Sequence, residues 1–150
     1  MSTPVTRIKM KNMTLPMKKI IFAAMLLASI VSCSKEDDIE EIFVERDWKL
    51  SFVQEGSIRR NSNKNYSILF GENTFEATLP NGKNIKGSWK ANGDTREFRC
   101  ANVRASGSLK GDTIAEKMLN ILTNAKMYEG DTHWLQIKEQ EKVFIQFHNY

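Results

Sequence analysis

Apolar and polar residues alternate with a period of two through most of the chain beyond residue 47, and this alternation restricts the fold to extended strands. Successive side chains of a strand point to opposite faces, so each run predicts one buried side and one solvent-facing side. Tyr66, Ile68 and Phe70 share one face of such a run, and Ile85 and Trp89 share one face of another. The chain is therefore predicted to be mainly β.

Turn residues divide the alternating part of the chain into eight predicted strands. A polar loop is predicted from Glu55 to Asn65, a tight turn at Pro80-Asn81-Gly82, and a type I′ hairpin turn at Asn92-Gly93. The predicted strands are Trp48 to Phe52, with Trp48, Leu50 and Phe52 facing the core, then Tyr66 to Phe70, Thr74 to Leu79, Asn84 to Lys90, Arg96 to Val103, Lys126 to Glu129, Trp134 to Lys138 and Val143 to His148.

A single helix is predicted between the fifth and sixth strands, from Ile114 to Ala125. Thr113 as N-cap and Glu116 three residues later have the pattern of a capping box. The predicted apolar stripe consists of Ile114, Met118, Ile121, Leu122 and Ala125. Eight strands would leave a flat sheet poorly covered. We therefore predict a small single-domain antiparallel fold, a barrel-like sheet or meander, with one helix before the last three strands.

A short apolar segment near the N-terminus has the three parts of a secretory signal. Lys18-Lys19 is the basic start, Ile20 to Leu27 is the apolar centre, and small residues precede Cys33. As a helix, the segment from Ile20 to Val31 would reach only about 18 Å, which is short of the roughly 30 Å hydrocarbon core. Ile30-Val31-Ser32-Cys33 resembles a bacterial lipobox, and this resemblance implies cleavage before Cys33 and a covalent lipid on that residue.

The signal also suggests how the chain is divided. A complete signal peptide begins at Met17, so we interpret residues 1–16 as the product of a wrongly assigned translation start. The predicted order is then a signal peptide at 17–32, a lipidated acidic tether at 33–47 and one β domain at 48–150. A domain of this length leaves no room for a second one.

The residues that follow Cys33 are a serine, a lysine and then acidic side chains. This run, Ser34-Lys35-Glu36-Asp37-Asp38, resembles the lipoprotein export signal of Bacteroidetes, which implies an outer-membrane lipoprotein on the cell surface. The alternative interpretation is a plain solvated linker, which would suit a lipoprotein on the periplasmic face of the membrane. In either case the lipid on Cys33 makes the membrane a partner.

Charge and cysteine content narrow the class of protein further. The first 32 residues carry five basic and no acidic side chains, which leaves 17 basic and 18 acidic residues in the mature chain. This balance gives no reason to expect a nucleic-acid partner. Once Cys33 carries lipid, only Cys100 remains, so no intramolecular disulfide can form. Cys100 lies in an alternating run and is interpreted as a small buried apolar residue.

The order of elements resembles the META domain, the HslJ-like family. The segments that carry this resemblance are Trp48-Lys49-Leu50, Tyr66 to Phe70, Gly87-Ser88-Trp89, Tyr128 to Asp131, Leu135-Gln136-Ile137 and Val143 to Phe147. The chain departs from the family at Leu79-Pro80-Asn81-Gly82, where a Gly-Cys-Asn motif is common. The resemblance implies an envelope-associated, non-enzymatic protein with a stress-linked role.

Catalytic patterns are not found in the sequence. His133 and His148 lack the spacing of a metal pair, and nucleophile elbows and phosphate-binding loops are missing. Glu72 and Glu76 would suit a small hydrolase only if they faced a cleft, and a solvated strand face explains them better. The chain is therefore predicted to be no enzyme, with no metal and no cofactor besides the covalent lipid.

Two features are candidates for binding. Arg59, Arg60 and Lys64 lie in the predicted polar loop and suit anionic glycans or lipid phosphates, although an ordinary solvated loop is the simpler reading. Trp134 alternates against Leu135 and is predicted to be exposed, where it would contact a glycan or a protein. We predict a lipid-anchored binding or structural protein of the outer envelope. An accessory subunit of a surface protein or glycan-binding complex is the alternative, and the oligomeric state stays open.

Overall fold

The computed structural model describes residues 35–150, so the predicted translation start, signal peptide, Cys33 and Ser34 lie outside the described residues. Helix α1 spans Lys35–Phe43 and helix α2 spans Thr113–Thr123. The strands are β1 (Asp47–Glu55), β2 (Ile58–Asn61), β3 (Ser67–Phe70), β4 (Thr74–Thr78), β5 (Asn84–Ala91), β6 (Phe98–Ala105), β7 (Met127–Gly130), β8 (Trp134–Gln140) and β9 (Val143–His148).

The strands form one antiparallel sheet that curls into a half-closed barrel. Its order is β6-β5-β4-β3-β1-β9-β8-β7, and β2 pairs with β1 as a hairpin outside this path. The ends of β6 and β7 meet at a bridge between Glu97 and Met127, flanked by two backbone hydrogen bonds of 3.0 Å, from the Phe98 N–H to the Lys126 carbonyl and from the Tyr128 N–H to the Arg96 carbonyl. A mainly β, barrel-like domain with one helix before the last three strands is therefore confirmed.

Helix α2 packs its apolar stripe on the inner face of the sheet, where the core lies. Its buried side chains are Ala115, Met118, Ile121 and Leu122. The helix begins one residue earlier than predicted, because Asp112 and not Thr113 is the N-cap, and the Asp112 carboxylate accepts from the Ala115 N–H at 3.0 Å. Aspartate and threonine are both favoured at this position, so spacing alone could not choose between them.

Strand β1 contains an irregularity that the alternation did not reveal. Its register against β9 shifts at Ser51, which is a β-bulge. Trp48 and Leu50 are buried before the bulge, and Val53 is buried after it. Phe52 is therefore on the outer surface, and the prediction that it faces the core is wrong. A strict period of two describes only an uninterrupted strand.

Two predicted connections also differ in the structure. The polar loop from Glu55 to Asn65 contains strand β2, because backbone pairing with β1 orders this segment despite its polar side chains. The predicted type I′ turn at Asn92-Gly93 is a longer loop that ends at Glu97. Gly93 does not have the positive φ that a type I′ turn requires, and the Asn92 side chain instead accepts the backbone N–H of Thr95 at 3.1 Å.

The predicted acidic tether is partly folded, and the domain begins before Trp48. Lys35 to Asp38 of the predicted export motif lie in helix α1, and Ile42 and Phe43 at its end are buried. The Phe43 ring centroid lies 4.8–5.4 Å from the centroids of four other rings, those of Phe70, Trp89, Phe98 and Tyr128. The short sequence between the acidic run and Trp48 shows no periodic pattern long enough to predict this helix.

Candidate functional site

The surface of β1, β8 and β9 that points away from helix α2 carries aromatic and amide side chains in neighbouring positions. We call it the outer face, and its members are Phe52, Trp134, Gln136, Phe144, Gln146 and His148. Their neighbours along the strands, such as Leu135 and Ile145, are fully buried in the core. The alternation of these strands therefore places the aromatic and amide side chains on the side of the sheet opposite the core.

Direct contacts order the centre of the outer face. The Gln136 amide donates to the Gln146 side-chain oxygen at 2.7 Å, and the Phe52 and Phe144 rings are in edge contact with centroids 6.0 Å apart. These side chains are half-buried, so each presents only part of its surface to solvent. The arrangement is a fixed surface with both apolar and hydrogen-bonding groups.

Trp134 lies at one end of the outer face and is 38% exposed, as the alternation predicted. The Asp131 carboxylate accepts the backbone N–H groups of His133 at 2.7 Å and Trp134 at 3.2 Å. These bonds, that of His133 first, hold the pKa of Asp131 below its usual range. Asn149 also donates its backbone N–H to the His133 carbonyl at 2.8 Å. The turn that carries the indole is thus fixed from two sides.

His148 is the cross-strand neighbour of both Trp134 on β8 and Lys49 on β1. Its Nδ1 atom lies 2.6 Å from the Ser51 hydroxyl, and its ring centroid lies 4.4 Å from that of Tyr150. Sequence analysis assigned no role to His148, because a single histidine without the spacing of a metal pair carries no functional signal. The register of β1, β9 and β8 is what places His148 between Lys49 and Trp134.

Arg59 and Arg60 lie on strand β2 and not in a loop. The Arg59 guanidinium carbon lies 4.0 Å from the Phe52 ring centroid, and its Nε donates to the Gln54 side chain at 3.2 Å. Arg59 therefore extends the outer face beyond β1, whereas Arg60 is an exposed neighbour on the same strand. The structure separates both arginines from Lys64, with which they were grouped.

Lys64 lines a cavity of about 310 Å³ at the edge of the outer face. We call it the polar pocket, and it is lined by Asp47, Lys49, Leu50, Lys64, Asn65, Tyr66, Ser67 and His148. The Lys49 ammonium lies 4.0 Å from the Asp47 carboxylate, and both side chains are well exposed. Because His148 belongs to both regions, the pocket and the outer face are continuous.

A second, more open cleft of about 530 Å³ lies near the start of helix α2 and shares Lys64 and Tyr66 with the polar pocket. The Tyr66 hydroxyl donates to the Asp112 carboxylate at 2.7 Å. Burial and this bond to a carboxylate both raise the pKa of Tyr66 above its usual range. The Tyr66 hydroxyl proton is therefore engaged by Asp112 and is not free to bind a ligand in the cleft.

Lys138 is a nearly buried lysine on β8 whose charge is compensated locally. Its ammonium lies 2.9 Å from the Glu129 carboxylate, 3.9 Å from that of Glu141 and 5.8 Å from the Phe144 ring centroid. Buried charges are tolerated when they are paired in this way. Lys138 is the cross-strand neighbour of Phe144, so this compensated charge lies beside the Phe144 ring.

The two carboxylates considered for hydrolysis have different surroundings. The Glu76 carboxylate lies 3.4 Å from the Lys86 ammonium and accepts from Asn84 at 3.0 Å, and Glu72 is exposed in a turn. Among residues 35–150, no cluster of three or more His, Cys, Asp or Glu side chains could hold a metal ion. Burial raises the pKa of the half-buried Cys100 to about 12, so its reactive thiolate form is disfavoured.

Comparison with known protein families shows which family this chain belongs to. The family described as "Domain of unknown function (DUF4847)" matches residues 53–149, which is most of the chain. The chain belongs to the DUF4847 family. A crystal structure of a DUF4847 family protein from Bacteroides vulgatus ATCC 8482 is similar to this DUF4847 chain, with a TM-score of 0.56 and 22% identity, over 73% of this chain and 96% of that one. A search of curated proteins found no match.

These matches correct the predicted membership of the META family, which is wrong. The resemblance rested on the order of strands and helix and on short patterns such as Gly87-Ser88-Trp89. Element order of this kind recurs in unrelated small β folds, because packing a curled sheet against one helix has few solutions. The missing Gly-Cys-Asn motif at Leu79 to Gly82 was the sequence feature that argued against it.

Within the described part of the DUF4847 chain, no helix is long and apolar enough to cross a membrane. Of the outer face, sequence reasoning identified Trp134 and missed the other members. It also identified Arg59, which extends that face, and Lys64, which lines the polar pocket. The available signal was the presence of phenylalanine and glutamine at solvent-facing positions of three strands, among them Phe144 and Gln146. In β1 the bulge at Ser51 interrupts the alternation, so the solvent-facing position of Phe52 could not be read from the sequence.

Proposed function

We propose that this DUF4847 protein is a non-catalytic glycan-binding lipoprotein of the outer envelope. The observation that carries the proposal is the outer face, where an exposed Trp134 indole lies on the same rigid sheet surface as half-buried phenylalanine and glutamine side chains. A sugar ring has an apolar C–H face that packs on aromatic rings, and hydroxyl groups that pair with amides. The outer face offers both chemistries at fixed positions.

Rigidity supports a binding role for this surface. Aromatic side chains have few rotatable bonds, so ordering them on a ligand costs little conformational entropy. Gln136 and Gln146 are already oriented by their mutual hydrogen bond, and Trp134 is held by a structured turn. Sites built on strands keep their geometry better than sites built on free loops.

The predicted lipobox supports placement at the membrane. A lipid on Cys33 would anchor the domain, and the run from Ser34 to Asp38 is similar to the Bacteroidetes export signal. The similar crystal structure comes from a Bacteroides protein, which agrees with that signal. Display on the cell surface would bring the outer face into contact with external polysaccharides.

Replacing Trp134 by alanine is expected to weaken binding of neutral and acidic oligosaccharides by at least about ten-fold, or about 1.4 kcal/mol, because a stacking platform is lost. Trp134→Phe should retain part of the affinity. Titration calorimetry measures both variants, and ligand-induced fluorescence changes should arise from Trp134, since Trp48 and Trp89 are buried. Leu69, which is 52% exposed on β3, supplies the matched control as Leu69→Ala. Equal losses in Trp134→Ala and Leu69→Ala would refute the assignment of the outer face.

Changing Cys33 to alanine is expected to release the protein from the membrane fraction, since no acyl chain can be attached. Cys100→Ala is the matched control and should stay in the membrane fraction. Protease treatment of intact cells should remove a C-terminal tag from the unchanged protein. Protection of the tag until the outer membrane is broken would place the domain on the periplasmic side instead.

A further inference from the structure

The polar pocket carries cationic groups directly beside the proposed sugar platform. We propose that the glycan is acidic, with a sugar ring packed on Trp134 and an anionic substituent held in the polar pocket by Lys64 and Lys49. This inference rests on the proposed glycan-binding function and names the class of ligand. The two regions are joined by His148, which lines the pocket and is the cross-strand neighbour of Trp134.

The register of the sheet fixes how far apart these groups lie. Trp134, His148 and Lys49 are neighbours across β8, β9 and β1. Adjacent strands are spaced by about 4.8 Å, so the backbone of Lys49 lies roughly 10 Å from that of Trp134. A short oligosaccharide is long enough to contact both positions, and no rearrangement of the sheet is needed.

The balance of charge in the pocket favours an anion. Lys64 has no ion-pair partner among residues 38–150, whose side chains are described, whereas Lys49 shares its charge with Asp47 at 4.0 Å. The two lysines and one carboxylate of the lining leave a net positive charge. An exposed pair such as Lys49–Asp47 is weak, so Lys49 can turn to a ligand at little cost.

Neutral groups complete the lining. Asn65 and Ser67, which carry an amide and a hydroxyl, also line the pocket. Such groups bind sugar hydroxyls as well as anionic oxygens. The pocket is therefore suited to an acidic sugar unit more than to an isolated ion, because its charged and neutral groups lie next to an aromatic platform.

The test compares two probes that differ only in charge: an oligogalacturonate, and the neutral oligosaccharide obtained by reducing its carboxyl groups. The unchanged protein should bind the acidic probe more tightly, and the difference should shrink at high salt. Lys64→Ala should weaken acidic-probe binding by about two- to five-fold, which lies within the range expected for an exposed ion pair. Its binding of the neutral probe should stay unchanged.

Two further variants sharpen the test. Asp47→Asn removes the opposing carboxylate and should strengthen binding of the acidic probe only. Lys110→Ala is the matched control, because Lys110 is an exposed lysine that lines the second cleft but not the polar pocket. All of these side chains are at the surface, and unchanged thermal midpoints confirm that each variant is folded.

The outcomes separate this inference from the proposed function. Equal affinity for the two probes, or equal effects of Lys64→Ala and Lys110→Ala, would overturn the acidic-ligand assignment and leave glycan binding intact. Failure of the unchanged protein to bind either probe would overturn both. Binding of the acidic probe that survives Trp134→Ala undiminished would show a purely electrostatic site, such as one for anionic lipid headgroups, and would also overturn it.

Discussion

Replacing Phe43 by alanine is expected to destabilise the domain by about 3–5 kcal/mol, the usual cost of removing a buried phenylalanine from a tightly packed core. The Phe43 side chain is fully buried, and its ring contacts those of Phe70, Trp89, Phe98 and Tyr128. Its loss removes apolar burial and leaves a cavity between helix α1 and the sheet. Urea unfolding followed by the fluorescence of Trp89, which lies beside the cavity, measures the change.

A matched variant tests whether this effect belongs to the ring. Ile39→Ala alters a partly buried residue of the same helix and should cost much less. Phe43→Leu should recover part of the stability, since it refills some of the volume. A loss below about 1 kcal/mol in Phe43→Ala would contradict the placement of α1 in the core.

Replacing Gly130 by alanine is expected to destabilise the domain by about 3 kcal/mol or more, through backbone strain together with a direct clash. Gly130 has a φ of 154°, and an added Cβ would lie less than 3 Å from the backbone of Leu135, at 2.9 Å from its Cα. Backbone atoms cannot move aside as a side chain can. The same substitution should displace Trp134, whose carbonyl is also in contact, and so reduce glycan binding.

Gly56 provides the control for this substitution. It has a φ of 59° but no atom within 4 Å of an added Cβ. Gly56→Ala should therefore show only the conformational penalty of a left-handed residue, about 1–2 kcal/mol, with binding unchanged. If thermal or urea unfolding gave Gly130→Ala and Gly56→Ala the same cost, close packing at the β7–β8 turn would not be the cause.

The fold was largely predictable because alternation survives wherever a strand is continuous. Ile68, Phe75 and Ile85 are buried as their spacing predicted. Errors arose where the backbone departs from regular geometry. The bulge at Ser51 and the longer loop after Asn92 both depend on pairing between strands, which a local pattern does not contain.

The candidate site was predictable only in part, for the same reason. Trp134 was recognised because its neighbours alternate cleanly. The place of Phe144 and His148 in the site is visible only from the cross-strand register. Lys64 was identified by charge, yet it belongs with Lys49 and not with the arginines nearest in sequence. Charge can be read along the chain, but the grouping of charges requires the folded sheet.

The position of Phe43 has a mechanical consequence. Helix α1 ends in the core, and the chain then continues into β1. On the way, Val44 forms a short bridge with Phe70. Strand β1 is hydrogen-bonded to β3 on one side and to β9 on the other. A force applied through the residues before Lys35 would first draw the Phe43 ring out of its cluster. The force would then act along β1, so two rows of hydrogen bonds would have to shear together and not open one by one.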